Sequence, residues 1–116
     1  MNQERAAELW SKRQIQNQIV GMTKEEDQFI TTIWRSMPTS ACWMDAFFRV
    51  LNPWVVVNVT TGKAVLQFQA RDLAEAVVQT VHAGQARSLG STLVVDGESY
   101  AVKYRHPDGT LSEGEP

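Results

Sequence analysis

The stretch Pro53–Phe68, PWVVVNVTTGKAVLQF, is where the chain changes its period. Upstream, apolar residues recur every three or four positions, as one face of a helix requires; here they alternate, as one face of a strand requires. Val55, Val57 and Val59 alternate with Trp54, Val56 and Asn58. After Thr60-Thr61-Gly62, the residues Ala64, Leu66 and Phe68 alternate with Lys63, Val65, Gln67 and Gln69. A turn centred on Thr61-Gly62 predicts the pairs Val59 with Ala64, Val57 with Leu66 and Val55 with Phe68, which make one wholly apolar face. A loop one residue longer would scramble that face.

Three helices are expected before this hairpin. Residues 3 to 13 carry Ala6, Ala7, Leu9 and Trp10 among charged and amide side chains, a narrow apolar stripe suited to a peripheral helix that becomes ragged after Arg13. Thr23 and Glu26 form a capping-box pattern that opens a second helix. Phe29, Ile30, Ile33, Trp34 and Met37 are its apolar stripe, and Pro38 is its stop. Thr39 or Ser40 is the expected cap of a third helix that runs to about Leu51, where Asn52-Pro53 ends it. Only Asp45 and Arg49 interrupt its apolar surface, so it must be buried on most sides, in its own domain or against another chain.

Downstream of the hairpin, Asp72 with Glu75 predicts another capped helix, with Leu73, Ala76, Val77 and Val81 as its stripe and Gly84 as its left-handed end. Thr92 to Val95, the Asp96-Gly97 turn and Glu98 to Tyr104 read as a second hairpin. The fold class is therefore α+β: N-terminal helices followed by hairpin, helix and hairpin, with an antiparallel sheet of about four strands. At 116 residues the chain is read as one domain. It comprises a peripheral helix within 1–22, a core over 23–106 and a flexible acidic tail over 107–116.

Composition excludes several functions. A net charge of −2, with no basic run, supplies no general attraction to phosphate backbones. The lone Cys42 cannot form an internal disulfide, and the polar N-terminus MNQERAAELWSKRQ lacks a secretory pattern, so a cytoplasmic location is expected. No window is apolar enough to span a membrane. Asn58-Val59-Thr60 matches a glycosylation sequon but reads as hairpin sequence.

Cys42 with His82 or His106 is the available nucleophile and base pairing, yet a cysteine in an apolar helix is read as core packing. The same three residues lack the spacing of a metal site, and Asp45, Asp72, Glu75 and Glu98 are read as caps or solvated carboxylates. No glycine-rich phosphate loop or serine-nucleophile motif is present. No enzyme activity, cofactor or metal is expected.

Two binding functions remain. Thr23-Lys24-Glu25-Glu26-Asp27 resembles the opening of Myb-like repeats, and the resemblance implies a DNA-binding regulator with a helix-turn-helix-like pair over residues 23–51, dependent on Lys24, Arg35 and Arg49. Trp34, Trp43 and Trp54 are spaced more tightly than in those repeats, and the would-be recognition helix is apolar. The favoured function is a protein-binding module of the adaptor or inhibitor type, an accessory protein that also self-associates as a homodimer. Its partner-binding residues are expected to be Trp43, Met44, Phe47 and Trp54, with Arg49 as polar anchor. The basis is a surplus: four tryptophans and four methionines are more large apolar side chains than so small an interior should accommodate.

Overall fold

A computed structural model describes residues 1–12 and 19–115. The expected ragged segment after Arg13 lies outside the described residues. The order is α1 (Gln3–Ser11), α2 (Lys24–Ser36), α3 (Trp43–Leu51), β1 (Trp54–Asn58), β2 (Ala64–Phe68), α4 (Arg71–His82), a short 3-10 turn (Ala86–Leu89), β3 (Tyr100–Arg105) and β4 (Leu111–Ser112). The fold is α+β with a four-stranded antiparallel sheet of order β2-β1-β3-β4. The chain forms two compact units, Met1–Leu51 and Asn52–Pro116, each with its own buried apolar cluster.

In the helical unit, Ala6, Leu9, Ile30, Ile33, Ala46, Phe47, Val50 and Leu51 form the core. α1 is not peripheral, because Ala6 and Leu9 are fully buried: a narrow stripe suffices where only one small and one large side chain must enter the core. The N-terminus of α1 is capped by Asn2, whose Oδ1 accepts from Arg5 N–H at 2.9 Å. The capping box of α2 forms as expected. Glu26 N–H donates to Thr23 Oγ1 at 3.1 Å, and Thr23 N–H donates to Glu26 Oε1 at 3.0 Å.

Arg5 then grips the same carboxylate from α1, with Nε 2.8 Å from Oε2 and Nη2 3.2 Å from Oε1. The Arg5 hydrogen bond, followed by that of the Thr23 amide, lowers the Glu26 pKa from 4.5 to about 2. One carboxylate thus satisfies the first turn of α2 and ties α1 to it.

α3 starts later than Thr39 or Ser40 would allow. The segment before it is turned by Ala41 N–H donating to Pro38 O at 2.9 Å, and Asp45 Oδ2 reaches back to accept from Cys42 N–H at 2.8 Å. Cys42 consequently sits ahead of the helix and is exposed, which corrects its reading as core packing.

In the sheet unit, the first hairpin forms in a different register from the expected one: Trp54 with Phe68, Val55 with Gln67, Val56 with Leu66 and Val57 with Ala64. Asn58 is the cause. Its Oδ1 accepts from Thr60 and Thr61 N–H at 2.9 and 3.2 Å, while its own N–H donates to Lys63 O at 2.9 Å. That Asx geometry winds the chain into a longer loop, in which Gly62 takes a positive φ of 73°. The leftover residue, Val65, is absorbed as a bulge. Val59 is left outside, 59% exposed, and Trp54, Val56, Leu66 and Phe68, together with Val65, pack toward the core.

α4 packs on that face through Ala74, Val77, Val78 and Val81, spaced three, four and seven from the first. Leu73 and Ala76, expected in the stripe, are exposed. The N-cap is Ala70 rather than Asp72, and Glu75 is taken by Arg71 at 2.9 Å. The C-terminal end matches expectation. Gln85 N–H donates to Thr80 O and Gly84 N–H to Val81 O, with Gly84 at φ +77°, the arrangement of a Schellman motif.

The second hairpin is not the expected one. Asp96-Gly97 turns the chain, but Thr92–Val95 is not a strand; it drops Val94 into the core and is held by side chains. Tyr100 OH accepts from Val95 N–H at 3.0 Å, and Asp96 Oδ1 accepts from Ala86 N–H at 2.9 Å. β3 instead turns at Pro107-Asp108-Gly109 and pairs with β4, where His106 N–H donates to Thr110 O at 2.8 Å. The stretch expected to be flexible tail therefore contributes an edge strand.

The burial of Leu9 predicts that Leu9→Ala destabilises the helical unit by about 2–5 kcal/mol, whereas a peripheral position would cost within about 0.5 kcal/mol. Chemical denaturation followed by tryptophan fluorescence separates the two. The lowered Glu26 pKa predicts that its contribution is complete above pH 4.5 and lost as pH falls toward 2. Glu26→Gln should remove that part of the acid limb in a pH series of melting curves.

Candidate protein-binding surface

The five residues expected to bind a partner are not brought together. Trp43, Met44, Phe47 and Arg49 lie on α3 in the helical unit, and Trp54 opens β1 in the sheet unit. Phe47 is fully buried. Trp54 is 6% exposed, with the Arg71 guanidinium carbon 5.3 Å from its ring centroid and Tyr104 edge-on at 5.1 Å. Both are core residues.

Phe47 is the hub of an aromatic cluster within the helical unit. Trp43 stacks at 6.3 Å and 16°, Trp10 lies tilted at 6.1 Å, and Phe48 stands edge-on at 6.3 Å. Trp10 and Phe48 in turn meet in a T-shaped pair at 5.2 Å and 80°. The outer members form a surface: Trp10 is 36% exposed, and Trp43, Met44 and Phe48 are half-buried. Trp34, 39% exposed, donates Nε1–H to Ala41 O at 2.9 Å, and Trp43 donates to Thr31 Oγ1 at 3.2 Å. Both indoles are thereby held in fixed orientations with part of each ring facing solvent. Arg49 is half-buried on the same helix.

Trp10 is a member of this cluster that was not among the expected partner-binding residues. Its signal was adjacency: Leu9 is buried, so the next residue, about 100° round the helix, flanks the core rather than opposing it.

The remaining polar candidates are engaged in structure. His82 Nε2 accepts from Tyr100 N–H at 3.2 Å, and His106 Nε2 lies 2.9 Å from Ser112 Oγ. Glu98 receives Asn58 Nδ2–H, Glu75 holds Arg71, and Asp72 Oδ1 accepts from Leu73 N–H. Among the described residues, no group of three histidine, cysteine or acidic side chains is placed to hold a metal ion. Among the same residues, no helix is long and apolar enough to cross a membrane. Lys24 and Arg35, the basic residues of the DNA-binding reading, are exposed on α2.

Comparison with known protein families, curated proteins and solved structures finds no match to this chain.

The four indoles should respond differently to a soluble quencher. In variants that retain one tryptophan each, acrylamide should quench Trp10 and Trp34 readily and Trp54 least, following their exposures of 36%, 39% and 6%. Stern–Volmer slopes provide the measurement.

Proposed function

We propose that this chain is a small, non-enzymatic, cytoplasmic protein-binding module of the adaptor or inhibitor type. Its docking surface is the outer part of the aromatic cluster of the helical unit: Trp10, Trp43, Met44 and Phe48, with Arg49 as polar anchor. The observation that carries this reading is the exposed Trp10 ring set edge-on against half-buried Phe48, above a Phe47 that is fully buried. A rigid aromatic platform on a packed base loses little entropy on docking, and tryptophan and methionine supply large, adaptable contact area. A second copy of the chain is one partner such a face accepts, through a twofold arrangement.

The double variant Trp10→Ser/Phe48→Ser tests the reading. It should weaken retention of the native-host partner, or the self-associated mass seen by light scattering, at least about tenfold, with the helical fold retained by circular dichroism. Unchanged retention and unchanged mass in a folded variant would refute the surface.

A further inference from the structure

The chain has two histidines, and the structure gives their rings opposite roles. His106 Nε2 lies 2.9 Å from Ser112 Oγ, whose own proton is donated to Gly114 O at 2.7 Å, so Nε2 is the donor there. Protonating that ring at Nδ1 leaves the contact intact. His82 Nε2 instead accepts from the Tyr100 main-chain N–H at 3.2 Å. A main-chain N–H can only donate, so neutral His82 carries its proton on Nδ1. The imidazolium has N–H on both nitrogens and would face the amide as a second donor. Taking up a proton must therefore break this contact.

The contact closes the base of a long connection. Residues 83–99 link α4 to β3 with only the short 3-10 turn between them, and His82 and Tyr100 stand at its two ends. Main-chain hydrogen bonds from Val59 N–H to Ser99 O at 3.0 Å and from Arg105 N–H to Pro53 O at 2.7 Å fix the alternation of β3. That alternation directs the Tyr100 amide to the outer edge, where β4 pairs only with Tyr104 and Arg105. Tyr100 is 4% exposed, so its amide meets water only if the junction opens. The same residue holds the middle of the connection: Tyr100 OH accepts from Val95 N–H at 3.0 Å, next to buried Val94.

The charged surroundings favour release once the ring is protonated. β1 and β2 carry no charged residue. On β3, Lys103 pairs with Glu113, and Tyr104 and Arg105 lie at the far end of the strand. Arg87 of the 3-10 turn is exposed, and Asp96 Oδ1 holds the Ala86 amide. Arg71, Asp72 and Glu75 sit at the opposite end of α4. Glu98 remains: with His82 it lines a cleft of about 280 Å³ between the end of α4 and the turn before β3, and it offers the imidazolium a carboxylate in place of the amide.

We propose that His82 is a pH-sensitive latch on the connection between α4 and β3. The neutral ring holds the Tyr100 amide and keeps the 83–99 connection closed; the imidazolium turns toward Glu98 and lets the junction of α4 and β3 open, releasing the Val95 amide with it. This device lies wholly in the sheet unit and does not rest on the aromatic surface of the helical unit.

Nitrogen-15 NMR of the full chain between about pH 8 and 5 tests the latch. Long-range couplings should place the neutral His82 proton on Nδ1. As His82 titrates, the exchange protection of the Tyr100 and Val95 amides, corrected for the intrinsic rate at each pH, should fall about fivefold while that of Ala101 holds. His82→Gln, whose Oε1 accepts without titrating, should keep both amides protected across the range, and His82→Leu should leave both weakly protected at every pH. The proposal fails if neutral His82 carries its proton on Nε2, if either amide keeps its protection through the titration, or if His82→Gln responds to pH as the native chain does.

Discussion

The side-chain carbonyl of Asn58, accepting from the amides of Thr60 and Thr61 while the Asn58 N–H closes the loop onto Lys63, sets the phase of the whole sheet unit. Because side chains alternate between the two faces of a strand, the length of this loop decides which residues of β2 lie beside which residues of β1. The phase it imposes puts Trp54, Val56, Leu66 and Phe68 toward α4, and the Val65 bulge takes up the odd residue. Asn58 Nδ2 then donates to Glu98, and Val59 N–H to Ser99 O, so the same turn also aligns the entry to β3. One nearly buried amide therefore coordinates three strands, and its burial is tolerable because both its carbonyl and its amino group are satisfied.

The alternation carried from β1 into β3 has a second consequence at the opposite edge. Once Ala101 and Lys103 direct their main-chain groups at β1, those of Val102 face the outer edge. β4 is short because Ser112 turns back on Gly114 and Glu113 is drawn to Lys103. A short edge strand is a common way to limit unwanted pairing, and His82 extends that protection to the Tyr100 amide.

The helical unit uses its large side chains differently. Its core is small, and Phe47 occupies the centre of it, so Trp10, Trp43 and Phe48 are arranged around one buried ring with their outer parts toward solvent. The indole hydrogen bonds to Ala41 O and Thr31 Oγ1 let Trp34 and Trp43 stand at the margin without leaving a donor unsatisfied. The large aromatic side chains are thus divided between the two units. Trp54 is absorbed into the sheet unit, and the outer rings of the helical unit form the surface on which the proposed protein-binding function rests.

The α+β class, the capping box of Thr23 and Glu26, the stop at Pro38, the switch of period at Pro53 and the Gly84 helix end were all legible in the sequence. Each depends on residues within a few positions of one another, where local sterics and hydrogen bonding dominate. The register of the first hairpin, the strand that pairs with β3, the burial of Leu9 and the exposure of Cys42 were decided by tertiary structure. In each case a contact distant in sequence, or a side chain competing for a backbone group, outweighed the local pattern. Asn58 lengthened a loop, and Tyr100 OH drew Val95 out of a strand. Likewise, the candidate surface joined Trp10 to Phe48 only because α1 and α3 fold onto one core. Side-chain types and spacing determine which elements form; packing determines which of their faces remain for a partner.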